Sequence, residues 1–472
     1  MNETIAAVAT AYGEGGIGII RISGGRAEEI LHKVFVPANS GACEDASESE
    51  ACARKSNAFV GRKLVYGHVT CPETGAVLDE AMAVFMKGPK TYTGEDVAEL
   101  QCHGSVISLR HVLEEVLKQG ARPAEPGEFT KRAFLSGRLD LSQAEAVIDL
   151  IQSESEKGHE AALKQLSGSV SGEIKKLREG LMEQLILLAV NMDYPDEDIE
   201  IATLEQLREG LEPVKAGIEE LIASAEQGRI YREGIAAAIA GRPNVGKSSL
   251  LNALLKEERA IVTDIPGTTR DTIEESVSIG GFPLRLTDTA GIRTTDNVIE
   301  QIGIERSRQA LSGADVIFFL VDGHEPLTDQ DREIAKALDA SKTLLLINKG
   351  DLQQKVTAEE AEALLPGAQV LQLSAKQGSG IKDLEQSITD RILGGKMKQG
   401  SSTVITSLRQ KDALRRGGEA LQDALDAIDR AETLELIEID VRRCWETLGE
   451  ISGETASEDI IDRVFERFCL GK

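Results

Sequence analysis

The spacing of apolar and polar positions changes along the chain, and each change predicts a different kind of structure. β-Branched runs at 4–10, 17–22, 77–85 and 97–101 predict strands. Apolar residues spaced three and four apart from 106 to 119 predict a helix on the same grounds. The first part of the chain is therefore predicted to be an α+β domain.

Long amphipathic helical patterns follow from 126 to 192, and another helix is predicted from 204 to about 227. Between 234 and 394 short apolar strands alternate with helices, which is typical of a parallel sheet covered by helices. After residue 394 the pattern is helical again as far as Phe468. The α/β segment is therefore predicted to be inserted into a helical domain built from the chain on both sides of it.

These changes predict a multidomain α/β protein with four segments. An N-terminal α+β domain would span 1–122, the two parts of a discontinuous helical domain would span 123–233 and 395–472, and the inserted domain would span 234–394. A stretch at 38–57, rich in serine, alanine and acidic residues, interrupts the first domain. We expect this acidic insertion to be a mobile surface loop.

Composition narrows the possible functions. The chain has 53 Lys and Arg against 79 Asp and Glu, a net charge of −26, which argues against a general nucleic-acid coat but not against a local RNA contact. Only 3% of residues are aromatic, so a stacking platform for single strands is not expected. No apolar run approaches the roughly 20 residues that cross a bilayer. The cysteines are scattered along the chain, which favours free thiols in a reducing cytosol. We therefore expect a cytoplasmic protein that has no membrane partner.

Residues 241–248 form the pattern G-x-x-x-x-G-K-S of a phosphate-binding loop. The segment follows a predicted strand and opens a predicted helix, which is the context that this motif requires. Its main-chain N–H groups can surround a β-phosphate, Lys247 can reach the β- and γ-phosphate oxygens, and Ser248 can bind Mg²⁺. The inserted domain is therefore predicted to be a P-loop nucleotide-binding domain.

Three further motifs follow strands of the same domain. Asp288 opens Asp-Thr-Ala-Gly, and an aspartate at this place holds Mg²⁺ through water. Asp351 closes Asn-Lys-Gly-Asp, and its carboxylate can accept two hydrogen bonds from guanine that adenine does not offer. Ser-Ala-Lys at 374–376 suits a main-chain N–H bond to the guanine oxygen. Together the motifs predict that GTP, with Mg²⁺, is bound rather than ATP.

A polar segment, Gly-Thr-Thr-Arg-Asp at 267–271, lies between the P-loop and Asp288, and we expect Thr269 to complete the Mg²⁺ and γ-phosphate contacts. Ile292 stands where Ras-like proteins place the glutamine that orients the attacking water, so hydrolysis must use another group. Glu300 is a candidate for that role, although a glutamate in such a pattern is more often a solvated helix residue.

Several weaker sequence patterns have two interpretations each. The glycine-rich run at 13–18 looks like a dinucleotide loop, but a strand rather than a helix follows it. His103 is expected to be a packed residue. The acidic residues between 193 and 200 are expected to form a solvated turn rather than a metal site. The basic stretch from Arg409 to Arg416 is either a solvated helix face or a local RNA contact.

Five separated motifs resemble those of one family. They are Gly-Ile-Ile-Arg-Ile-Ser-Gly at 18–24, Thr-Gly-Glu-Asp-Val-Ala-Glu-Leu at 93–100, Pro-Gly-Glu-Phe-Thr-Lys-Arg-Ala-Phe at 126–134, Leu-Asp-Leu-Ser-Gln-Ala-Glu-Ala at 139–146 and Phe-Cys-Leu-Gly-Lys at 468–472. In this order, and with the nucleotide motifs, they resemble the MnmE (TrmE) family of tRNA-modification GTPases over essentially the whole chain. The acidic insertion and Leu470, where isoleucine is more usual, depart from the family pattern.

The resemblance implies a K⁺-stimulated GTP hydrolase that works with the FAD protein MnmG (GidA). The two would add an aminomethyl or carboxymethylaminomethyl group to C5 of the wobble uridine of certain tRNAs. A folate, 5-formyl- or methylene-tetrahydrofolate, would supply the carbon. The N-terminal domain would bind the folate and form a homodimer, and a heterotetramer with MnmG is implied.

The resemblance also assigns residues. Arg21, Glu99, Arg138 and Lys472 match the folate contacts, and Asn244, Thr263, Ile265 and Thr268 match the K⁺ ligands. Glu300 matches the catalytic acid that positions water, and Cys469 matches a cysteine implicated in the modification, although a buried structural thiol is the alternative. The complete predicted nucleotide and metal site consists of Asn244, Val245, Gly246, Lys247, Ser248, Ser249, Thr263, Asp264, Ile265, Pro266, Gly267, Thr268, Thr269, Asp288, Thr289, Ala290, Gly291, Asn348, Lys349, Gly350, Asp351, Ser374, Ala375 and Lys376.

Two other functions compete with this one. A ribosome-assembly GTPase with similar nucleotide motifs would act as a nucleotide-gated RNA-binding switch. It would need an RNA-binding appendage such as a KH domain, and no such pattern follows residue 394. A scaffold whose G domain, at 234–394, only switches conformation would carry out no one-carbon chemistry.

Overall fold

The chain forms two compact units, Met1–Ile148 with Trp445–Lys472, and Asp149–Cys444. The computed structural model describes residues 3–11, 13–38, 62–153, 155–193, 200–257, 274–288, 311–393 and 403–472. Residues 39–57 of the acidic insertion lie outside these ranges, so the expectation of a mobile loop stays a prediction. The four-segment division of the chain also stays a prediction.

The first unit is built on a seven-stranded sheet whose strand order is β3-β4-β5-β6-β2-β1-β7. The strands are β1 (Ile5–Val8), β2 (Gly15–Ser23), β3 (Phe35–Pro37), β4 (Val65–Thr70), β5 (Val77–Met86), β6 (Val97–Gly104) and β7 (Arg122–Pro123). Neighbouring strands are antiparallel except β1 and β7, which are parallel. The strands predicted from the β-branched runs are confirmed.

Three helices accompany this sheet, α1 (Ala27–Val34), α2 (Val106–Lys118) and α3 (Glu128–Leu135). Alternate residues of β2, such as Ile20 and Ile22, are fully buried in one core with Leu109 of α2 and Ile30 of α1. This alternation is what a sheet with one covered face requires. The predicted helix over 106–119 is therefore confirmed.

The helical pattern from 126 to 192 forms several helices rather than one. After α3 come α4 (Leu141–Gln152), α5 (Glu156–Leu166) and α6 (Ser169–Asp193), and then α7 (Glu200–Glu233). Gly137 and Gly168 lie between successive helices with φ of 74° and 92°, a left-handed conformation that ends a helix. The helix predicted at 204–227 is confirmed and is longer than predicted.

The second unit contains a six-stranded sheet in the order β13-β12-β11-β8-β10-β9. The strands are β8 (Ile235–Ala240), β9 (Glu274–Ile279), β10 (Phe282–Asp288), β11 (Val316–Asp322), β12 (Thr343–Asn348) and β13 (Gln369–Gln372). β9 runs antiparallel to β10, and the other pairs are parallel. Every residue of β11 and β12 is buried, as expected of central strands with helices on both faces.

The helices of this α/β segment are α8 (Lys247–Glu257), α9 (Asp329–Lys336), α10 (Ala358–Leu364) and α11 (Ile381–Leu393). They are followed by α12 (Leu408–Asp429), α13 (Leu434–Ser452) and α14 (Glu458–Phe465). α12 packs along α7, which also packs along α6. The helical part therefore joins chain from both sides of the inserted α/β segment, as predicted. Among the described helices, none is long and apolar enough to cross a membrane.

Candidate functional site

The nucleotide motifs meet at one edge of the parallel sheet. The loop 241–246 follows β8, Asp288 ends β10 opposite Ile239 of β8, and Asn348 ends β12 opposite Asp322 of β11. The carboxyl ends of parallel strands are where open α/β sheets place their ligand sites. The fold therefore collects motifs that are more than 100 residues apart in the sequence.

The P-loop is held by contacts that constrain its backbone. Asn244 and Gly246 have φ of 66° and 104°. A Cβ at Gly246 would lie 2.2 Å from Nδ2 of Asn348, so a larger residue does not fit there. Lys247 Nζ donates hydrogen bonds to the carbonyls of Gly241 at 2.5 Å and Arg242 at 3.1 Å. The ammonium group of Lys247 therefore lies against the main chain of the P-loop.

Asn348 joins three of the motifs. Its Nδ2 donates to the carbonyl of Val245 at 2.7 Å, and its Oδ1 accepts from the N–H of Ala375 at 3.0 Å. The side chain is buried, with 2% of its surface exposed. Both ends of the amide are therefore used to hold the P-loop against the Ser-Ala-Lys loop. Sequence reasoning placed Asn348 in a nucleotide motif but did not find this bridge.

Lys349 and Gly350 fasten the same motif to neighbouring strands. Lys349 has φ of 63°, and its Nζ donates to Oδ2 of Asp322 at 2.5 Å. The N–H of Gly350 donates to the carbonyl of Leu373 at 3.0 Å. Asp322 is only 4% exposed, and sequence reasoning missed it because no motif marks the end of β11.

The carboxyl group of Asp351 is held in a form that accepts hydrogen bonds. Ser374 Oγ donates to its Oδ1 at 2.7 Å, and this hydrogen bond holds the pKa of Asp351 below its usual value. The carboxyl group is therefore ionised at neutral pH and can accept N–H groups of a base. Lys376 lies two residues beyond Ser374 and is exposed.

The residues predicted for the two segments near the γ-phosphate lie outside the described ranges, and their roles stay predictions. They are Thr263, Asp264, Ile265, Pro266, Gly267, Thr268, Thr269, Thr289, Ala290, Gly291 and Glu300. Ser248 and Ser249, in contrast, are exposed in the first turn of α8. The described part of the site thus includes the P-loop and the side expected to bind guanine.

A second group of predicted residues comes together in the first unit. Arg21 of β2 lies opposite Glu99 of β6, and its Nε is 2.8 Å from the Glu99 carboxylate. The Arg21 guanidinium is 5.3 Å from the centre of the Tyr92 ring, and that of Arg138 is 4.9 Å from the same centre. Arg138 also donates to the Tyr92 carbonyl at 2.7 Å. Sequence reasoning missed Tyr92, which no spacing pattern singles out.

The end of the chain reaches the same group. The N–H of Phe129 donates to the main-chain oxygen of Lys472 at 3.2 Å, and that of Gly127 to Cys469 at 3.4 Å. Burial, and after it the charge of Arg21, lowers the pKa of the Lys472 ammonium group. The structure therefore brings together Arg21, Glu99, Arg138 and Lys472, which we call the Tyr92 cluster.

The side chains of Arg21, Arg138, Lys472 and Glu99 comprise three cations and one carboxylate, so their summed charge is positive. Such a group suits an anionic ligand. Gly471 makes the approach of the tail possible, because it has φ of 88° and a Cβ there would lie 2.0 Å from the carbonyl of Val8. Cys469 is exposed, which does not fit a buried structural thiol.

Two weaker expectations can also be compared with the structure. The expectation that His103 is packed is wrong, because 67% of its side chain is exposed and its Nδ1 lies 2.6 Å from Asp79. In the basic stretch, Arg415 and Arg416 both pair with Asp412, at 2.8 and 2.9 Å. These ion pairs reduce the positive charge available to RNA at that place.

A P-loop after the first parallel strand and an Asn-Lys-Gly-Asp motif on the same sheet edge define a GTP-hydrolysing P-loop protein. Family models extend the assignment to the rest of the chain. The model described as GTP-binding protein TrmE N-terminus matches residues 4–138, and the MnmE helical domain matches residues 141–469. The chain belongs to the MnmE family of tRNA modification GTPases.

Relatives with the name tRNA modification GTPase MnmE match along the entire chain. One from Alkaliphilus oremlandii is 43% identical over 472 residues, which is 100% of both chains. One from Geobacillus kaustophilus is 46% identical over 100% of this chain and 99% of its own. A third, from Clostridioides difficile, is 44% identical over 100% of both.

Proposed function

We propose that this protein hydrolyses GTP with K⁺ stimulation and, with the FAD protein MnmG, modifies C5 of the wobble uridine in certain tRNAs. The group added is aminomethyl or carboxymethylaminomethyl, and its carbon comes from a folate. The observation that supports the proposal is that described residues predicted to bind guanine nucleotide meet at one sheet edge, and those predicted to bind folate meet in a separate cluster, in a chain of the MnmE family.

In GTP hydrolysis, Lys247 binds the β- and γ-phosphate oxygens and Asp351 selects guanine. Glu300 orients the attacking water, since Ile292 has no group that can do so. Mg²⁺ would be held by Ser248 and Thr269, and by Asp288 through water, and the exposed Ser248 hydroxyl suits this hard ion. The ion would neutralise phosphate charge.

K⁺ would be held by Asn244, Thr263, Ile265 and Thr268. Side-chain and main-chain oxygen atoms suit a hard monovalent cation. Asn244 is exposed in a left-handed turn of the P-loop, so its side chain is accessible beside the phosphates that the loop would bind. The charge of K⁺ would take the place of an arginine finger, which no residue spacing identifies.

The Tyr92 cluster is the proposed folate site. Arg21, Arg138 and Lys472 would bind the carboxylates of the ligand, and Glu99 would accept N–H groups of its pterin ring. The excess of cations in the cluster fits this use. The folate would supply the one-carbon unit, and the exposed Cys469 is the proposed thiol of the modification step.

The proposed working form is a cytoplasmic homodimer that joins MnmG in a heterotetramer and acts on tRNA. We retain the division into residues 1–122, 123–233, 234–394 and 395–472 as the proposed domain boundaries. In this arrangement the first segment carries the dimer contact and the folate, and the third carries GTP.

The test is nucleoside analysis by mass spectrometry of total tRNA from cells that lack the gene. Restoring the gene is expected to restore the C5-modified wobble uridines, whereas Glu300→Ala and Arg21→Gln variants are expected to restore little or none. Arg110→Gln, which changes an exposed arginine of α2 outside both sites, is the control and is expected to restore them fully. An unchanged nucleoside profile in the deletion strain would refute the proposed function.

A further inference from the structure

A groove of about 530 Å³ lies beside α9 and α10 in the second unit. No residue of the predicted nucleotide site lines it. Its lining residues are Pro326, Leu327, Arg332, Lys336, Lys355, Glu360, Ala363 and Leu364. Half of them are apolar and half are charged, and the volume is within the range of about 300–1,000 Å³ that small-molecule sites occupy. The groove is therefore large enough for a small ligand with an apolar part.

The charged lining of the groove is mainly cationic. Within the described part of the chain, neither Lys336 nor Lys355 has an ion-pair partner, and Arg332 pairs with Asp329 at 3.4 Å. The carboxylate of Glu360 accepts the N–H of Thr357 at 3.0 Å as part of the cap of α10. Two lysines are thus left to bind an anion, in a chain whose net charge is −26.

One wall of the groove is hydrogen-bonded to the guanine side of the nucleotide site. The N–H of Lys355 donates to the carbonyl of Gly323 at 2.7 Å, and the N–H of Gly323 donates to the carbonyl of Asn348 at 2.9 Å. Asp322, the residue before Gly323, holds Lys349. A displacement of this wall would therefore act directly on the Asn-Lys-Gly-Asp motif.

The other wall, α9, reaches the P-loop. Arg242 donates to the Glu325 carboxylate at 2.8 Å, while its Nε stays 3.6 Å from Asp331 in the first turn of α9. Asp331 is 1% exposed, and its Oδ1 and the Arg242 Nε have no hydrogen-bond partner among the described atoms. The 3.6 Å contact is to Asp331 Oδ2, which already accepts the N–H and the hydroxyl of Thr328 in the cap of α9. A long ion pair through Arg242 therefore connects α9 with the P-loop.

We propose that this groove binds a small phosphate-bearing molecule and that its occupancy changes the affinity of the nucleotide site. Lys336, Lys355 and Arg332 would bind the phosphate, and the apolar residues Leu327 and Leu364 would contact the rest of the ligand. Because coupling between two binding sites is reciprocal, GDP and the groove ligand must change each other's affinity by the same factor. The proposal is independent of the proposed folate and tRNA chemistry.

The experiment uses the full chain saturated with GDP and Mg²⁺, with AMP as the probe. AMP lacks the N–H donors that Asp351 selects, so its binding reports on a site other than the guanine site. Calorimetric titration is expected to give saturable binding, which the double variant Lys336→Glu, Lys355→Glu weakens about tenfold or more. Lys382→Glu, which reverses an exposed lysine on α11, is the matched control and is expected to bind AMP like the unchanged protein.

A second measurement separates the site from a general effect of charge. Saturating AMP is expected to change the dissociation constant of fluorescent GDP at least twofold in the unchanged protein and in Lys382→Glu, but not in the double variant. The double variant must bind GDP normally without AMP, which shows that it is folded. Absence of AMP binding, or equal binding by all three proteins, would overturn the proposal. The proposal would also be overturned if the protein bound a short RNA but not AMP, and the double variant lost that RNA binding.

Discussion

The nucleotide site and the Tyr92 cluster are assembled in different ways. In the first, each contact group belongs to a short continuous motif, and the parallel sheet brings those motifs to one edge. In the second, single residues far apart in the chain meet through antiparallel pairing of Arg21 with Glu99 and through docking of the tail at Lys472. One site thus depends on local loop conformation, and the other on long-range contacts.

This difference has consequences for substitutions. A motif site is expected to lose ligand affinity when a residue that joins its loops is removed, while the surrounding sheet persists. The Tyr92 cluster is expected to lose its stability together with its ligand affinity, because the same contacts position its residues and hold its unit together. The following predictions test this difference, beginning with the largest effect.

The largest effect is expected from Arg132→Ala. The Arg132 side chain is 2% exposed and binds Glu95 at 2.8 Å and Glu128 at 2.9 Å. Its loss leaves two carboxylates without this cation, so the free energy of unfolding of the first unit should fall by about 3–5 kcal/mol. Urea unfolding with hydrogen exchange of β1 and β6 measures this. The exposed Arg110→Ala should cost less than about 1 kcal/mol, and equal losses would contradict the prediction.

Asn348→Ala is expected to act mainly on nucleotide binding. It removes the hydrogen bonds to Val245 and Ala375, leaving buried groups unpaired at a cost of about 1–3 kcal/mol, and GDP should bind about tenfold more weakly or worse. Titration with fluorescent GDP measures the affinity. Asn252→Ala, at an exposed position of α8, is the control. If both variants bind GDP equally well, Asn348 does not join the loops in the way described.

Gly471→Ala is expected to displace the tail. The new Cβ would collide with the carbonyl of Val8 in a left-handed backbone conformation, at a cost of about 1–3 kcal/mol. Folate affinity should fall, the alkylation rate of Cys469 should change, and GDP affinity should not. Gly172→Ala, where a Cβ meets open space in α6, is the control for a glycine change. Unchanged alkylation and folate binding in Gly471→Ala would show that the tail tolerates a side chain there.

The smallest effect concerns the protonation of Lys472. Because its pKa is lower in the folded chain than in the unfolded chain, unfolding takes up protons at this group between the two pKa values. The contribution of Lys472 to stability therefore rises with pH across that window, from the lowered pKa up to 10.5. Arg21→Gln should raise the pKa of Lys472 and narrow the window. An NMR titration of labelled lysine measures it, with Arg110→Gln as the variant that should leave it unchanged.

The sequence predicted elements well where a pattern is long and periodic. The strands predicted at 77–85 and 97–101 correspond to Val77–Met86 and Val97–Gly104. It missed β3 and β7, which are three and two residues long and too short to show a period. It also missed the six-residue strands β4 and β9 and the helix α1. The sequence pattern also predicted α3 to α6 as one continuous helical stretch, because an amphipathic pattern continues across a turn such as that at Gly168.

The sequence by itself determined the nucleotide class, because the P-loop and Asn-Lys-Gly-Asp need only a strand before them and their own residues to have their function. Only the tertiary structure decided which distant groups support them, such as Asp322 under Lys349 and the bridge made by Asn348. It likewise decided that the guanidinium groups of Arg21 and Arg138 both lie close to the Tyr92 ring. The reason is physical. A motif encodes local backbone conformation, whereas contacts across a sheet depend on register and packing that no short segment contains.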